Sequence, residues 1–134
     1  MTYLLDTNAW IAHLRQKNTR LATRFLQVSA SEIVLCSVVV AELVYGAHHG
    51  AANKRVANLA LIARLQQRFF SFPFDDAAAA DYGEIREFLD ARGTPIGPND
   101  LMIASIARSR GLTLVTHNTS EFGRVPGLLL EDWQ

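Results

Sequence analysis

The segment YLLDTNAWI, residues 3–11, places an apolar strand directly before a carboxylate and an amphipathic helix. Tyr3, Leu4 and Leu5 predict a short buried strand, and Asp6 follows at its carboxyl end. In open α/β sheets, ligands bind in the crevice outside the carboxyl ends of the strands. Asp6 therefore stands where a functional site is expected, provided that the rest of the chain builds such a sheet.

The remainder of the chain alternates short apolar runs with helical patterns, which is typical of βαβ units and a parallel sheet. Strands are predicted at residues 2–5, 33–37, 69–74, 112–116 and 128–130. Helices are predicted at residues 7–15, 19–28, from 38 to the 46–50 region, 52–69, 76–91 and from 100 to 110. The acids of helix 76–91 are expected to face solvent. The sequence thus predicts one α/β domain with a central, mostly parallel sheet of four to five strands flanked by helices.

The charge content argues against a general polyanion-binding protein, because 13 basic and 13 acidic side chains give a formal net charge of zero. The basic residues are nevertheless concentrated in the first half of the chain, where they could contact phosphates. On charge alone, solvated helix faces are the favoured explanation of the same pattern. The residues concerned are Arg15, Lys17, Arg20, Arg24, Lys54, Arg55, Arg64 and Arg68.

No apolar stretch is long enough to span a membrane, and Asp6 comes too early for a secretory signal peptide. Cys36 is the single cysteine and ends an apolar run, so we expect a buried structural thiol. A chain without a disulfide framework suits a reducing compartment. We therefore expect a cytoplasmic protein that does not associate with membranes.

Three further acids are predicted at the same edge of the sheet as Asp6. Glu42 lies about one turn into the helix after the second strand, and Glu121 follows the fourth strand. Asp100 opens a helix that Asn99 can cap. Because parallel strands all point the same way, these positions are expected to gather at one edge.

Such clustered carboxylates would repel one another by about 3 kcal/mol per pair at 5 Å and an effective dielectric constant near 20. They must be partly protonated or neutralised by a hard divalent cation. Oxygen ligands without His or Cys favour Mg²⁺ or Mn²⁺ over zinc, and a water of such an ion can attack a phosphodiester. Each acid taken singly is also explained by helix capping or partial burial. Only their convergence favours a metal site.

Four segments resemble the PIN-domain ribonucleases, and within them the VapC-type toxins of type II toxin–antitoxin pairs. The segments are LLDTNAWI at 4–11, SVVVAELVYGA at 37–47, GTPIGPNDLMIASIARSRGLTLVTHNTSEF at 93–122 and GLLLEDW at 127–133. The resemblance implies an αβα PIN domain over residues 1–134. It also implies a Mg²⁺- or Mn²⁺-dependent endoribonuclease that cuts structured RNA, frequently tRNA, and leaves a 5′-phosphate and a 3′-hydroxyl.

By motif position, the metal-binding acids of the family fall on Asp6, Glu42 and Asp100. Many PIN domains carry an aspartate two residues after the threonine of the last core strand, where this chain has Asn118. Whether Asn118 or the fourth catalytic candidate, Glu121, completes the site stays open. The resemblance implies these supporting groups: Thr7, Asn8, Ser37, Thr116 and Asn118.

The resemblance implies two protein partners. One is a second copy of the chain in a homodimer, and the other is a cognate VapB-type antitoxin whose tail covers the acidic pocket. Because the antitoxin commonly supplies the DNA-binding part, specific DNA binding by this chain alone is not expected.

Other functions fit the sequence less well. A phosphoacceptor receiver-like domain would need a lysine near its last strand, but the only lysines are Lys17 and Lys54. A haloacid-dehalogenase-like phosphatase would need a second acid at position 8, which is Asn8. A catalytically silent PIN-like module that binds protein or RNA stays open, because intact acids do not demonstrate turnover.

Overall fold

The computed structural model describes residues 1–134 throughout and contains a five-stranded sheet flanked by seven α-helices. The strand order is β3-β2-β1-β4-β5, and all four neighbouring pairs are parallel. The predicted α/β architecture is therefore confirmed. The strands are β1 (Tyr3–Leu5), β2 (Ile33–Cys36), β3 (Ser71–Phe72), β4 (Thr113–Val115) and β5 (Leu129–Glu131).

The helices alternate with the strands as the sequence predicts, apart from α7, which has no counterpart among the predicted elements. Predicted strand 69–74 shortens to two residues, because its aromatic run ends at Pro73, which has no N–H for a strand ladder. The helices are α1 (Thr7–Arg15), α2 (Thr19–Gln27), α3 (Ser37–His49), α4 (Arg55–Arg68), α5 (Asp76–Ala91), α6 (Pro98–Arg110) and α7 (Thr119–Phe122). Two single 3₁₀ turns cover Ala30–Glu32 and Ala52–Lys54.

Two predicted boundaries near the site are wrong by one or two residues. Ser37, predicted as the end of β2, is the first residue of α3. Helix α6 begins at Pro98 and not at Asp100, with Gly97 as its N-cap, because the proline ring already holds the helical φ angle and lacks the N–H that a first turn leaves unpaired. Asn99 consequently lies inside the first turn and does not cap the helix.

Strand β1 is the centre of the sheet and the point at which the chain order reverses. Leu4 lies opposite Val34 of β2 on one side and Leu114 of β4 on the other. The backbone N–H of Asp6 continues the ladder by donating to the carbonyl of Val115 over 3.0 Å. A ligand crevice is expected at such a reversal, so Asp6 leaves the sheet at its most favourable position for a site.

The core runs through the whole chain, from Tyr3 to Trp133, as one cluster of 31 buried apolar residues. Cys36 belongs to it, which confirms the predicted burial, and burial raises the pKa of its thiol to about 11. Trp10 is fully buried and packs edge-on against the rings of Phe25 and Phe69. No helix combines the length and apolar composition that a bilayer crossing requires.

The carboxyl terminus closes over β1. The ring of Trp133 lies 5.2 Å, centroid to centroid, from that of Tyr3, and its indole N–H donates to Glu131. The guanidinium of Arg24 in α2 lies over both rings and also pairs with Glu131 over 3.4 Å. These contacts fix the end of the chain to its first strand.

Candidate active site

Asp6 is held rigidly at the end of β1. Its Oδ1 accepts the backbone N–H of Ala9, so that Asp6 caps α1, and its Oδ2 accepts the hydroxyl of Thr116 over 2.6 Å. Only 6% of the residue is exposed. Burial raises the pKa of Asp6, the two hydrogen bonds oppose the rise, and the charges of Glu42 and Asp132 add to it.

Glu42 projects from α3 and is oriented by two other elements. The hydroxyl of Thr7, the first residue of α1, donates to Oε1 over 2.5 Å. The side-chain amide of Asn99, in the first turn of α6, donates to Oε2 over 3.4 Å. Three helices that begin at the same edge of the sheet therefore meet at this carboxylate.

Asp100 lies in the first turn of α6 and is half-buried. Burial, and after it the charges of Glu42, Asp6 and Glu121 in that order of size, together raise the pKa of its carboxyl to about 6. Asp100 therefore lies close enough to each of the other three acids to be affected by its charge.

Asn118 and Glu121 form the side of the site next to β4. The Asn118 amide donates to Oε2 of Glu121 over 3.2 Å, and its backbone N–H donates to the hydroxyl of Thr116. Thr116 thus touches both Asp6 and Asn118. The neutral side chain at position 118 orients the acid at position 121.

Two of the supporting residues implied by the resemblance do not contact the acids. The Ser37 hydroxyl accepts the backbone N–H of Phe74, although Ser37 lines the same cavity as Glu42. Asn8 is exposed and its side chain makes no hydrogen bond to an acid. Thr7, Thr116 and Asn118 do contact site residues.

The sequence analysis missed the contributions of Asn99 and Asp132. Asp132 follows β5 directly, and a position just beyond a parallel strand is the signal in the sequence that marks it. Its charge raises the pKa of Asp6, and its Oδ2 lies at hydrogen-bond distance, 3.0 Å, from Nδ1 of His117. The site therefore has an acidic residue after each of β1, β4 and β5.

The donor set fits a hard divalent cation. The converging side chains offer carboxylate, hydroxyl and amide oxygens. Burial, with a smaller contribution from neighbouring carboxylates, raises the pKa values of Asp6 and Asp100, and a bound cation would oppose both effects. No three of the acids are arranged as a complete coordinating group.

Comparison with known proteins identifies relatives along nearly the whole chain. The PIN domain family profile matches residues 3–128. The chain is 40% identical over 133 residues to the tRNA(fMet)-specific endonuclease VapC of Salmonella typhimurium, covering 99% of this chain and 98% of that protein. It is 42% identical, with the same coverage, to the protein of that name from Shigella flexneri.

Solved structures similar to this chain come from the same group of proteins as these relatives. DNA-bound VapBC from Salmonella typhimurium superposes with a TM-score of 0.90 at 39% identity, covering 100% of this chain and 99% of that one. VapBC2 from Rickettsia felis, bound to a DNA fragment from its promoter, superposes with a TM-score of 0.88 at 34% identity, covering both chains completely.

Proposed function

Because the chain belongs to the PIN-domain family, we propose that it is a metal-dependent endoribonuclease of the VapC type, the toxin of a type II toxin–antitoxin pair. Its substrate is structured RNA, and tRNA is the first class to test, since two relatives of at least 40% identity are named tRNA(fMet)-specific endonucleases. Hydrolysis leaves a 5′-phosphate and a 3′-hydroxyl.

One observation carries the proposal more than any other. Asp100 is half-buried among Glu42, Asp6 and Glu121, and its pKa rises to about 6. A fold that needed only capping groups would not crowd four carboxylates at the centre of its sheet edge. Ionised together, they attract a divalent cation and, with it, a phosphodiester.

We propose that Asp6, Glu42 and Asp100 hold the ion, Mg²⁺ or Mn²⁺, and that Glu121 completes the site. When bound, the ion supplies a Lewis acid for the phosphate and a water of lowered pKa. The protein keeps the acids in position. Thr116 fixes one oxygen of Asp6, and Thr7 fixes one oxygen of Glu42.

The remaining groups act by orientation and charge. The Asn99 amide holds the second oxygen of Glu42, and the Asn118 amide holds Glu121. Asp100 takes up a proton near pH 6 in the metal-free protein, because of its burial and of the carboxylates around it. Preorganised carboxylates need little rearrangement when the cation and substrate arrive.

The partners follow from the relatives. The two solved neighbours are VapBC complexes, so we propose that a VapB-type antitoxin binds this chain and that the pair contains a homodimer of the toxin. In those two structures the toxin–antitoxin complex is what binds DNA. Because this chain has a formal net charge of zero, we do not propose that it binds DNA specifically on its own. We propose that residues 1–134 act as one PIN domain in the cytoplasm, where its RNA substrate is found.

The test is cleavage of tRNA by the purified chain, freed of antitoxin, in Mg²⁺, Mn²⁺ or EDTA. An Asp6→Asn variant prepared identically is the control, since asparagine can still cap α1. Discrete fragments that need the metal and disappear in the variant are expected. Equal fragments from both proteins would indicate a contaminating nuclease. RNA binding without cleavage in any metal would favour the silent interaction module.

A further inference from the structure

A cavity of about 580 Å³ opens beside the acids, between α3 and α6. Val38, Ala41 and Tyr45 line it from α3, where their spacing puts them on one face of the helix. Met102 of α6 adds a fourth apolar side chain. Part of the cavity wall is therefore apolar.

Three further lining residues belong to the site itself. Glu42, Thr7 and Asn99, the three residues joined by hydrogen bonds at the Glu42 carboxylate, all face the cavity. The Asn99 amide uses one of its hydrogens on Glu42, which leaves its other hydrogen and its carbonyl oxygen for a ligand. An apolar surface and a polar edge thus meet within one open space.

Tyr45 is the unusual member of this lining. Its residue is 65% exposed, although an aromatic ring of this size is commonly packed in the core. The ring stacks on that of His49, with 5.3 Å between the centroids and 14° between the planes. Tyr45 lines the cavity and His49 does not, so the stack leaves part of the Tyr45 ring exposed on the cavity.

We propose that the cavity is a nucleobase subsite, in which an unpaired base next to the scissile phosphate stacks on Tyr45. The inference rests on the proposed ribonuclease function and describes how the active site binds its RNA substrate. Proteins recognise single-stranded RNA largely by stacking splayed bases on aromatic side chains. Tyr45 presents such a ring three residues, or about one helical turn, beyond Glu42.

The charge of the site favours this arrangement. Carboxylates repel the phosphates of RNA until a cation is bound, whereas a base is neutral and is not repelled. Stacking on Tyr45 therefore adds binding that does not depend on the acids. The free hydrogen-bonding groups of Asn99 reach the edge of the base and give the subsite a preference among bases.

The test compares tRNA cleavage by wild type, Tyr45→Leu and Tyr45→Phe in Mg²⁺. Leucine keeps an apolar side chain but removes the aromatic face, so kcat/KM is expected to fall about 10-fold or more. Phenylalanine keeps the face, so its kcat/KM is expected to stay within about twofold of wild type. Phe70→Leu is the matched control, since Phe70 is also 65% exposed but does not line the cavity.

A binding measurement separates this inference from the proposed function. Hexa-adenylate carrying 2-aminopurine is titrated with Asp6→Asn protein in Mg²⁺, with and without Tyr45→Leu. If the protein quenches the 2-aminopurine fluorescence and Tyr45→Leu removes the quenching, the subsite is supported. This holds even if wild type cleaves no tRNA, because absence of cleavage overturns the proposed function and not the subsite. Equal quenching in both proteins overturns the subsite.

The variants also decide between RNA and a protein segment as the occupant. If Tyr45→Leu cleaves tRNA as fast as wild type, the subsite is wrong. If the variant also is no longer inhibited by the antitoxin, the occupant of the cavity is a segment of the antitoxin and not a base. Thermal unfolding of each variant shows that its fold is intact, which the exposure of Tyr45 leads us to expect.

Discussion

Thr116 donates a hydrogen bond to Oδ2 of Asp6 over 2.6 Å, although the two residues are 110 positions apart in the chain. The same hydroxyl oxygen accepts the backbone N–H of Asn118. Its single hydrogen is therefore directed to Asp6, and the bond is strongest when Asp6 is ionised. The pair couples the end of β4 to the first acid of the site.

Replacing Thr116 by valine is expected to weaken both stability and cleavage. Valine has nearly the same shape but leaves the buried Asp6 oxygen and the Asn118 N–H without their partner, which destabilises by about 1–3 kcal/mol. The loss of the donor also raises the pKa of Asp6 further, so Mg²⁺ binding weakens. Urea unfolding and the Mg²⁺ dependence of cleavage measure the two effects.

Thr116→Ser and Thr113→Val are the controls for this prediction. Serine keeps the hydroxyl and should retain most activity. Thr113 is buried on the same strand, but its hydroxyl makes no hydrogen bond to the site. If Thr113→Val lowers Mg²⁺ affinity as much as Thr116→Val does, the effect belongs to the strand and not to the bond.

The sequence predicts a site residue when the local pattern of its own strand or helix determines its position. It does not predict a residue whose position depends on how two elements pack. Asp6, Glu42 and Asp100 follow from short apolar runs and helical periodicity, which are local patterns. Asn99 does not, because its contact with Glu42 depends on how α3 and α6 approach each other. Because α6 begins at Pro98, Asn99 lies in its first turn, where its side chain reaches Glu42 of α3.

The acids of α5 show the same limit. The sequence predicts a solvated acidic face, and Asp90 is indeed largely exposed. Asp81, however, accepts a hydrogen bond from Arg108 of α6 over 2.9 Å. A helical pattern shows which side of one helix is polar, but not which charged partner the next helix brings to it.

The metal-free protein is expected to lose stability as the pH rises from about 4 to about 6. In the unfolded chain Asp100 ionises near its ordinary pKa of 3.8, whereas in the folded protein it does so at about 6. Between these values the folded state binds more protons, so the free energy of unfolding falls with rising pH. Urea unfolding in EDTA across this range measures the change.

Asp100→Asn isolates that contribution from those of the other acids. The variant cannot ionise, so in EDTA at pH 7 it is expected to melt above wild type, and the difference should shrink towards pH 4. It should also lose cleavage, as Asp6→Asn does. A lower melting temperature for Asp100→Asn at pH 7 would contradict a crowded site.

The acids around Asp100 are expected to act unequally. Glu42 raises the pKa of Asp100 more than Glu121 does, so Glu42→Gln should lower it further than Glu121→Gln. NMR titration of the Asp100 side-chain carbon in EDTA gives both values. The reverse order would place Glu121 nearer to Asp100 than Glu42 and give it the larger part in the site.

Arg108 is expected to be the most important surface cation for stability. Its guanidinium bonds Asp81, Glu84 and the carbonyl of Pro126, and only 14% of its side chain is exposed. Arg108→Met leaves these acceptors unpaired and should cost about 2 kcal/mol in urea unfolding. Arg86→Met, which removes an exposed pair with Asp90, should change stability by about 0.5 kcal/mol or less.

The contacts at Thr116 and Trp133 join sequence-distant segments of the fold at β1. Thr116 donates to Asp6 from the end of β4, and Trp133, beyond β5, packs its ring on that of Tyr3. Asp6 is therefore fixed in place only when β4 has paired with β1. Assembly of the site and completion of the sheet are consequently one folding event, and a chain that lacks β4 and β5 would keep its first acid but lose the partner that orients it.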